Sequence, residues 1–382
     1  MKSIEVTFKV NTPMFIGGND HKGEFRIPSL LGVLRFWYRA TAPRHLIHDI
    51  SALREAEAKL FGSTNTGQAA FLVRADANEI SFADASTHIT KSTYGINYLG
   101  YGPISFKGVQ RSCIKEGSTI KIKFIFRPNT SNQQPDKDGL IRAIKAFTLF
   151  GGLGSRSRRG FGSVTLLTFK DEAGNSLWRA PQNRNELHSE IKSFINALEL
   201  RDITEVPPYT AFSYMSRIII SQTNSNPFSV LESIGQEMIR YRSYGRSDHG
   251  GSHNWPWGEK AKPNFANDHD LLLNLDKNTG LHPRRVAFGL PHNYHFGSIK
   301  KNFNISGETS ERERRASPLF IHIHALGKEY AAVLTFLPAK FLPDNEKIKM
   351  TGNGSTVYVP CDVDWQVITD FLASIPDRME VL

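Results

Sequence analysis

Between Ile4 and Phe169 the hydropathy period changes in a fixed order, and that order leaves few folds open. Ile4, Val6, Phe8 and Val10 alternate with Glu5, Thr7 and Lys9, which reads as a half-buried strand ending at Thr12-Pro13. Pro28 and Ser29 then open a helix with Leu30, Val33, Leu34, Trp37 and Tyr38 on one face and Arg35 and Arg39 opposite. Ala70 to Arg74 reads as a second strand. Ile120, Ile122, Phe124 and Phe126, with Lys121 and Lys123 on the other side, make a third that Pro128 closes. Asp138 to Phe150 returns to helical spacing, with Leu140, Ala143, Ile144 and Phe147 inward, and Phe161 to Phe169 is a fourth strand. Strand-helix-strand-strand-helix-strand is the split βαβ order of ferredoxin-like and RNA-recognition domains. An antiparallel sheet then carries two helices on one face, and its other face is free for a ligand.

The second half predicts an irregular copy of the same α+β fold. A strand near Tyr214 to Ile220 precedes a helix near Phe228 to Tyr244 with Leu231, Ile234, Met238 and Tyr241 inward. A long loop from Gly245 to Asp270 carries Trp255 and Trp257. Arg285 to Leu290 reads as a strand, Pro318 to Leu337 as a hairpin turning near Gly327-Lys328, and Asp364 to Ala373 as a last helix. The expected organisation is an N-terminal ferredoxin-like domain over 1–172, a linker with a short helix over 173–204, and a second ferredoxin-like domain over 205–382. Leu187, Ile191, Phe194, Ile195 and Leu198 place that short helix against one of the domains.

Charge narrows the partner. Lys and Arg number 47 against 37 Asp and Glu, a formal +10, which favours polyanions and nucleic acid first among them. No apolar run approaches the roughly 20 residues that cross a bilayer, so the expectation is a cytoplasmic protein with no membrane partner. Cys113 and Cys361 are the two cysteines, too few for a disulfide framework or a cysteine zinc knuckle, and both read as small buried side chains.

The segment Gly151-Gly152-Leu153-Gly154-Ser155-Arg156-Ser157-Arg158-Arg159-Gly160-Phe161-Gly162 is the most informative for chemistry. It holds five glycines in twelve residues, against 30 in all 382. Glycines let backbone amides approach a ligand, and arginines supply bidentate donors suited to phosphates. Gly151, Gly152, Gly154, Ser155, Arg156, Ser157, Arg158, Arg159 and Gly160 are therefore candidate RNA-binding residues, against the alternative of a solvated turn. No Gly-Lys-Ser/Thr follows, and no strand precedes as a dinucleotide fingerprint requires, so no nucleotide cofactor is expected.

Other positions join them. Arg35 and Arg39, one turn apart, suit successive phosphates or an acidic neighbour, or are a plain solvated face. Gly17, Gly18 and Lys22 lie in a second glycine loop beside the helix N-terminus, where phosphate binding and a simple turn are both open. Arg242 and Arg246 sit among Tyr241 and Tyr244, as in single-strand binders, and Tyr244 and Trp257 are candidate stacking platforms. Trp37 and Tyr38 belong to the apolar stripe and read as core. Arg284-Arg285 and Arg312, Arg314 and Arg315 are further basic clusters, the latter interleaved with Glu311 and Glu313.

Six segments carry a resemblance. The loop GGLGSRSRRGFGSV is similar to the glycine-rich loop of the repeat-associated mysterious protein superfamily of CRISPR RNA-binding subunits. The run Thr12-Pro13-Met14-Phe15-Ile16-Gly17-Gly18, the helix Arg26 to Ala40, and Lys59-Leu60-Phe61-Gly62 resemble the family of first subunits of the type III-B CRISPR effector, the Cmr complex. Phe288-Gly289-Leu290-Pro291 and Arg314-Arg315-Ala316-Ser317-Pro318-Leu319 extend that likeness into the second half. The resemblance implies two fused ferredoxin-like domains, CRISPR RNA or target RNA and other Cmr subunits as partners, a seat near the 3′ side of the guide, and no catalytic residues. The second domain lacks a counterpart of the five-glycine loop.

The competing enzyme reading is a metal-independent CRISPR-repeat endoribonuclease with His21 or His45 as general base. A scaffold that contacts only protein is a third. Metal sites are weakly signalled: His249 and His253 flank Gly250-Gly251 beside Asp248, and His292 and His295 flank Asn293-Tyr294, without further ligands at fixed spacing. His322 and His324 alternate with Ile321 and Ile323, which predicts an exposed or intersubunit sheet face.

Overall fold

A computed structural model describes residues 3–18, 22–83, 88–105, 108–128, 135–200, 205–247, 253–277, 280–297, 299–309, 311 and 313–382. His21, Asp248, His249, Gly250, Gly251 and Arg312 lie outside the described residues, as does the side chain of Arg246.

The alternation at the N-terminus becomes β1 (Ser3–Val10), and the helical stripe becomes α1 (Ile27–Ala40). A further helix, α2 (Ile50–Phe61), crosses over before β2 (Phe71–Asp76), β3 (Thr119–Phe126), α3 (Lys137–Phe150) and β4 (Val164–Lys170). The sheet order is β2-β3-β1-β4, antiparallel throughout, with Val6 opposite Ile122 and Val10 opposite Val164. That is the ferredoxin-like order. Leu30, Leu34, Trp37 and Tyr38 of α1 are buried, and Phe8 of β1 meets Phe147 of α3 edge-on at 5.7 Å. The outer face of this sheet stays open. Its described lining is Glu5, Thr7, Arg74, Lys121, Lys123 and Lys170 with small aliphatics, and none of these is aromatic. Lys123 pairs with Glu5 and Lys121 with Glu79, so the face is charge-balanced rather than a base-stacking platform.

After α4 (Arg184–Asn196), which docks through Leu187, Ile191 and Phe194, the topology repeats. β5 (Arg217–Ile220), α5 (Pro227–Arg242), β8 (Leu319–Leu326), β9 (Glu329–Phe336), α6 (Gln366–Ser374) and β12 (Met379–Glu380) form a sheet of order β8-β9-β5-β12. The chain is thus α+β with two fused ferredoxin-like domains. Two insertions in the second one pair with each other. β6 (His292–Phe296) and β7 (Lys301–Gly307) join β10 (Lys347–Gly352) and β11 (Ser355–Pro360) in a third antiparallel sheet with its own core of Phe303, Ile305, Ile348, Met350 and Val359.

The second sheet is covered on both faces. Phe320, Ile218, Ile220 and Val333 pack on the first domain's helices, while Ile219, Ile321, Ile323 and Leu334 pack on α5 and α6. Phe320 enters an aromatic cluster with Phe36 at 5.6 Å and Trp37 at 5.4 Å. This stacking overturns one expectation from the sequence. His322 and His324 are fully buried, because the face that alternation marks as polar lies on the first domain. His322 Nδ1 donates to Gly151 O at 2.6 Å, and His322 Nε2 lies 3.2 Å from His324 Nδ1.

Two smaller differences follow from local geometry. Arg285–Leu290 is not a strand: Arg284–Phe288 is a 3-10 helix closed by Gly289. The Gly245–Asp270 segment is no open loop. Its strands Arg246–Ser247 and His253–Asn254 pair, Trp255 is buried, and Ala266–Leu273 is helical. Cys113 is buried as expected, and Cys361 only partly.

Burial holds His322 down at about 4 and His324 at about 3, the latter also beside His322, against an ordinary 6.5. The unfolded chain therefore takes up protons first as pH falls. Stability from this pair is complete above about 6.5 and is lost as pH drops from there through about 4 for His322 and about 3 for His324. The urea midpoint is expected to fall steeply between pH 7 and 4.5, and less steeply in a His322→Gln, His324→Gln double variant. Parallel declines in the two proteins would remove the pair as the cause.

Candidate nucleic-acid interface

The glycine-rich loop is pinned rather than flexible. Ser155 N donates to Phe15 O at 2.8 Å, Gly162 N to Pro13 O at 3.0 Å, and Leu153 N to Gly162 O at 3.0 Å. Thr12 Oγ1 donates to Gly160 O at 2.6 Å. Gly154 takes φ +95°, and a Cβ there would meet Phe15 O at 2.6 Å; Gly162 takes φ +64°, with Leu153 O at 1.9 Å from its Cβ position. Both positions need left-handed backbone and close approach of another chain segment. Gly151, Gly152 and Gly160 turn inward against Trp37, the Phe161 and Ser157 carbonyls, and Leu231.

The loop's three arginines separate. Arg158 donates to Ser317 O and lies over the rings of Phe320, at 4.4 Å, and Phe36, at 5.2 Å. It stitches the two domains together. Arg159 forms a parallel bridge with Ile321 and points into the seam between the domains. Burial pulls both guanidiniums down to about 10, and they stay cationic at neutral pH. Arg156, at φ +63°, is exposed and lies beside Tyr101 and Gly102.

Arg35 and Arg39 do not form a free basic face. Glu57 of α2 receives both, Arg35 Nη1 at 3.1 Å and Arg39 Nη1 at 2.7 Å, and Arg35 Nη2 also donates to Phe61 O at 2.8 Å. The pair docks α2 onto α1. Arg242 lies over Phe288 at 4.4 Å in the second domain. Tyr244 is held between His253 and His269, and Trp257 between Trp255 and Arg240, so both rings are engaged within the chain. His45 is exposed on a one-turn helix, Arg44–Ile47. Among the described residues no three His, Cys, Asp or Glu side chains gather as a metal site.

The structure does bring the two glycine loops together. Phe15, Ile16, Gly17, Gly18, Lys22, Ser29, Arg111, Ser112, Gly154 and Ser155 line one open cleft of about 290 Å³. Gly17 bridges Gly23, which brings the two ends of the N-terminal glycine loop together. Ser29 brings in the start of α1, which has no side-chain cap and no acidic residue in its first turn, so the positive end of its dipole is uncompensated there. Among the described residues nothing accepts a hydrogen bond from Arg111. Backbone amides, a helix start and two cations around one opening suit a phosphodiester. Arg111 and Ser112 escaped the sequence reading, and Ser29 entered it only as the opening of α1. Arg111 sits in a run without periodicity, and only the three-dimensional approach of Gly17 and Gly154 gives it a partner surface.

Because Gly154 has no room for a side chain, Gly154→Ala is expected to cost about 1–3 kcal/mol in chemical unfolding. Gly174→Ala is the contrast, since that glycine has φ +83° but open space around it. A Gly154 effect no larger than the Gly174 effect would contradict the close approach.

The model of the RAMP superfamily matches residues 7–165. Two relatives from Pyrococcus furiosus are similar in sequence. CRISPR system Cmr subunit Cmr1-2 is 30% identical over 174 residues, 42% of this chain and 92% of that one. CRISPR system Cmr subunit Cmr1-1 is 24% identical over 369 residues, 94% of this chain and 90% of that one. Among solved structures, apo Cmr1 from Pyrococcus furiosus has a TM-score of 0.55 at 17% identity, covering 100% of this chain and 99% of that one. A chain of the type III-B Cmr-beta complex bound to cognate target RNA has a TM-score of 0.53 at 12% identity, covering 98% and 99%. Those two likenesses extend the shared fold over both domains. With the split βαβ order, the glycine-rich loop and these sequence matches together, the chain belongs to the RAMP superfamily and, within it, to the Cmr1-type subunits of the CRISPR Cmr system.

Proposed function

We propose that the chain is a non-catalytic, RNA-binding architectural subunit of a type III-B Cmr effector in antiviral defence, holding the guide RNA near its 3′ side, the target RNA, or both. The observation that carries this is the cleft between the two glycine loops, where Lys22, Arg111 and the Gly17-Gly18 and Gly154-Ser155 backbones surround one opening. Such a surface reads charge and spacing rather than base identity, so sequence choice falls to guide-target pairing. A chain of the same fold in a type III-B Cmr-beta complex bound to cognate target RNA supports the same reading. Among the described residues no helix is long and apolar enough to cross a membrane, and the +10 charge favours a polyanion.

The proposal makes a salt prediction. Lys22→Ala, Arg111→Ala and Arg156→Ala are expected to weaken binding to unrelated single-stranded RNAs alike, and each lost contact flattens the log affinity against log salt slope by about 0.7. Unchanged slopes for Lys22→Ala and Arg111→Ala would exclude the cleft as the phosphate track, and an unchanged slope for Arg156→Ala would exclude the exposed tip of the glycine-rich loop. Incubation of the protein with labelled repeat and target RNAs in chelator is expected to leave them intact. Discrete cleavage abolished by His45→Ala would establish the endoribonuclease instead.

A further inference from the structure

Among the described residues, the seam between the domains holds more positive charge than its acids balance. Three guanidiniums from separate elements meet there, Arg159 from the glycine-rich loop, Arg242 from the last turn of α5 and Arg285 from the 3-10 helix, together with the imidazole of His292 at the start of β6, which burial and these cations keep neutral. Among the described residues the acid of the cluster is Asp268, and it is fully occupied. Its Oδ1 accepts from Arg284 N at 2.8 Å, and its Oδ2 from Arg285 N at 3.0 Å, with Arg285 Nε at 3.4 Å. Arg285 also donates to Arg242 O at 3.1 Å and lies over Tyr294 at 4.3 Å, so its role is local.

Among the described residues Arg242 and Arg159 have no such counterpart. Arg242 is held flat over Phe288, at 4.4 Å, with Tyr98 at 5.9 Å on another side. Its Nη2 donates to His292 Nε2 at 3.3 Å, which puts the imidazole proton on Nδ1. Its buried Nε has no hydrogen-bond partner. Among the described residues, nothing accepts from the Arg159 guanidinium. Two guanidiniums, each partly enclosed and neither neutralised, are costly unless an anion completes them. Both residues keep partial exposure, which leaves a way in for a small ligand. Their planar forks match the oxygens of a phosphoryl group, and the ring under Arg242 fixes its plane beforehand.

We propose that Arg159, Arg242 and His292 form a phosphoryl-anion site on the seam between the two domains. The site takes the tetrahedral oxyanion of a phosphate monoester or of a nucleic-acid backbone. Bound there, the anion ties the glycine-rich loop of the first domain to α5 and β6 of the second. This site is separate from the Lys22 and Arg111 cleft and does not depend on the RNA reading of that cleft.

The test uses the full chain and inorganic phosphate, with chloride at matched ionic strength as reference. Phosphate is expected to raise the thermal midpoint saturably beyond chloride, and Arg159→Gln and Arg242→Gln each to shift the half-saturating concentration upward by about tenfold or more. Arg284→Gln removes the same charge from a pair with Asp364 and is expected to keep the response. A single-stranded oligoribonucleotide distinguishes the sources. Displacement of phosphate by the oligonucleotide supports a backbone phosphodiester as occupant, and lack of displacement supports a free or terminal phosphoryl group. No response beyond chloride, or equal responses in the Arg159, Arg242 and Arg284 variants, would overturn the site, and the salt slopes of the cleft variants would be unaffected by that result.

Discussion

An edge strand that must not stay open organises this molecule. β8 pairs with β9 on one side only, and its outward amides would otherwise face solvent as a template for further pairing. The first domain closes that edge. Ile321 N donates to Arg158 O at 3.1 Å, Ile323 N to Ser163 Oγ at 3.0 Å, and Ala325 N to Thr165 Oγ1 at 3.1 Å. Asn11 Nδ2 donates to Ile323 O at 2.8 Å from the other direction. The glycine-rich loop is thereby a structural seal between domains before it is a ligand surface, which explains why its glycines are packed rather than loose.

That double duty divides the loop along its length. Gly154 and Ser155 lie on the side of the N-terminal glycine loop, where Ser155 bonds Phe15 and the cleft opens, while Arg156 is exposed beside Tyr101 and Gly102. Arg158 turns to Phe36 and Phe320, and Arg159 to the seam. Three cations within four residues thus serve a surface, an interdomain stack and a charged junction. Counting them all as phosphate ligands treats the loop as a charge density, whereas its φ signs assign each side chain a separate direction.

Much of the fold was legible in periodicity. The βαββαβ order, the buried stripe of Trp37 and Tyr38, and the Gly327 turn of the second hairpin all express one-dimensional patterns that tertiary packing obeys. The misread positions share a different cause. His322 and His324 alternate like an exposed face, yet a second layer of helices covers it, and alternation along one strand carries no signal for a distant layer. Arg35 and Arg39 lie opposite the apolar stripe of α1, and α2 with Glu57 takes that face. Arg285 to Leu290 has strand-like residues but starts after Pro283 and ends at Gly289 with φ +110°, which closes a tight helical turn. Of the site, the two glycine loops were visible in sequence, and Arg111 was not.

The account's central claim is that a ribose-phosphate strand runs through the cleft between those loops. Photocrosslinking of 4-thiouridine RNA in the assembled complex, followed by mass-spectrometric mapping of adducts, tests it most directly. The account places adducts on peptides that contain Phe15 to Lys22, Arg111-Ser112 and Gly154 to Arg156. Adducts confined to the open face of the first sheet or to the third sheet, with the cleft peptides unmodified, would contradict it.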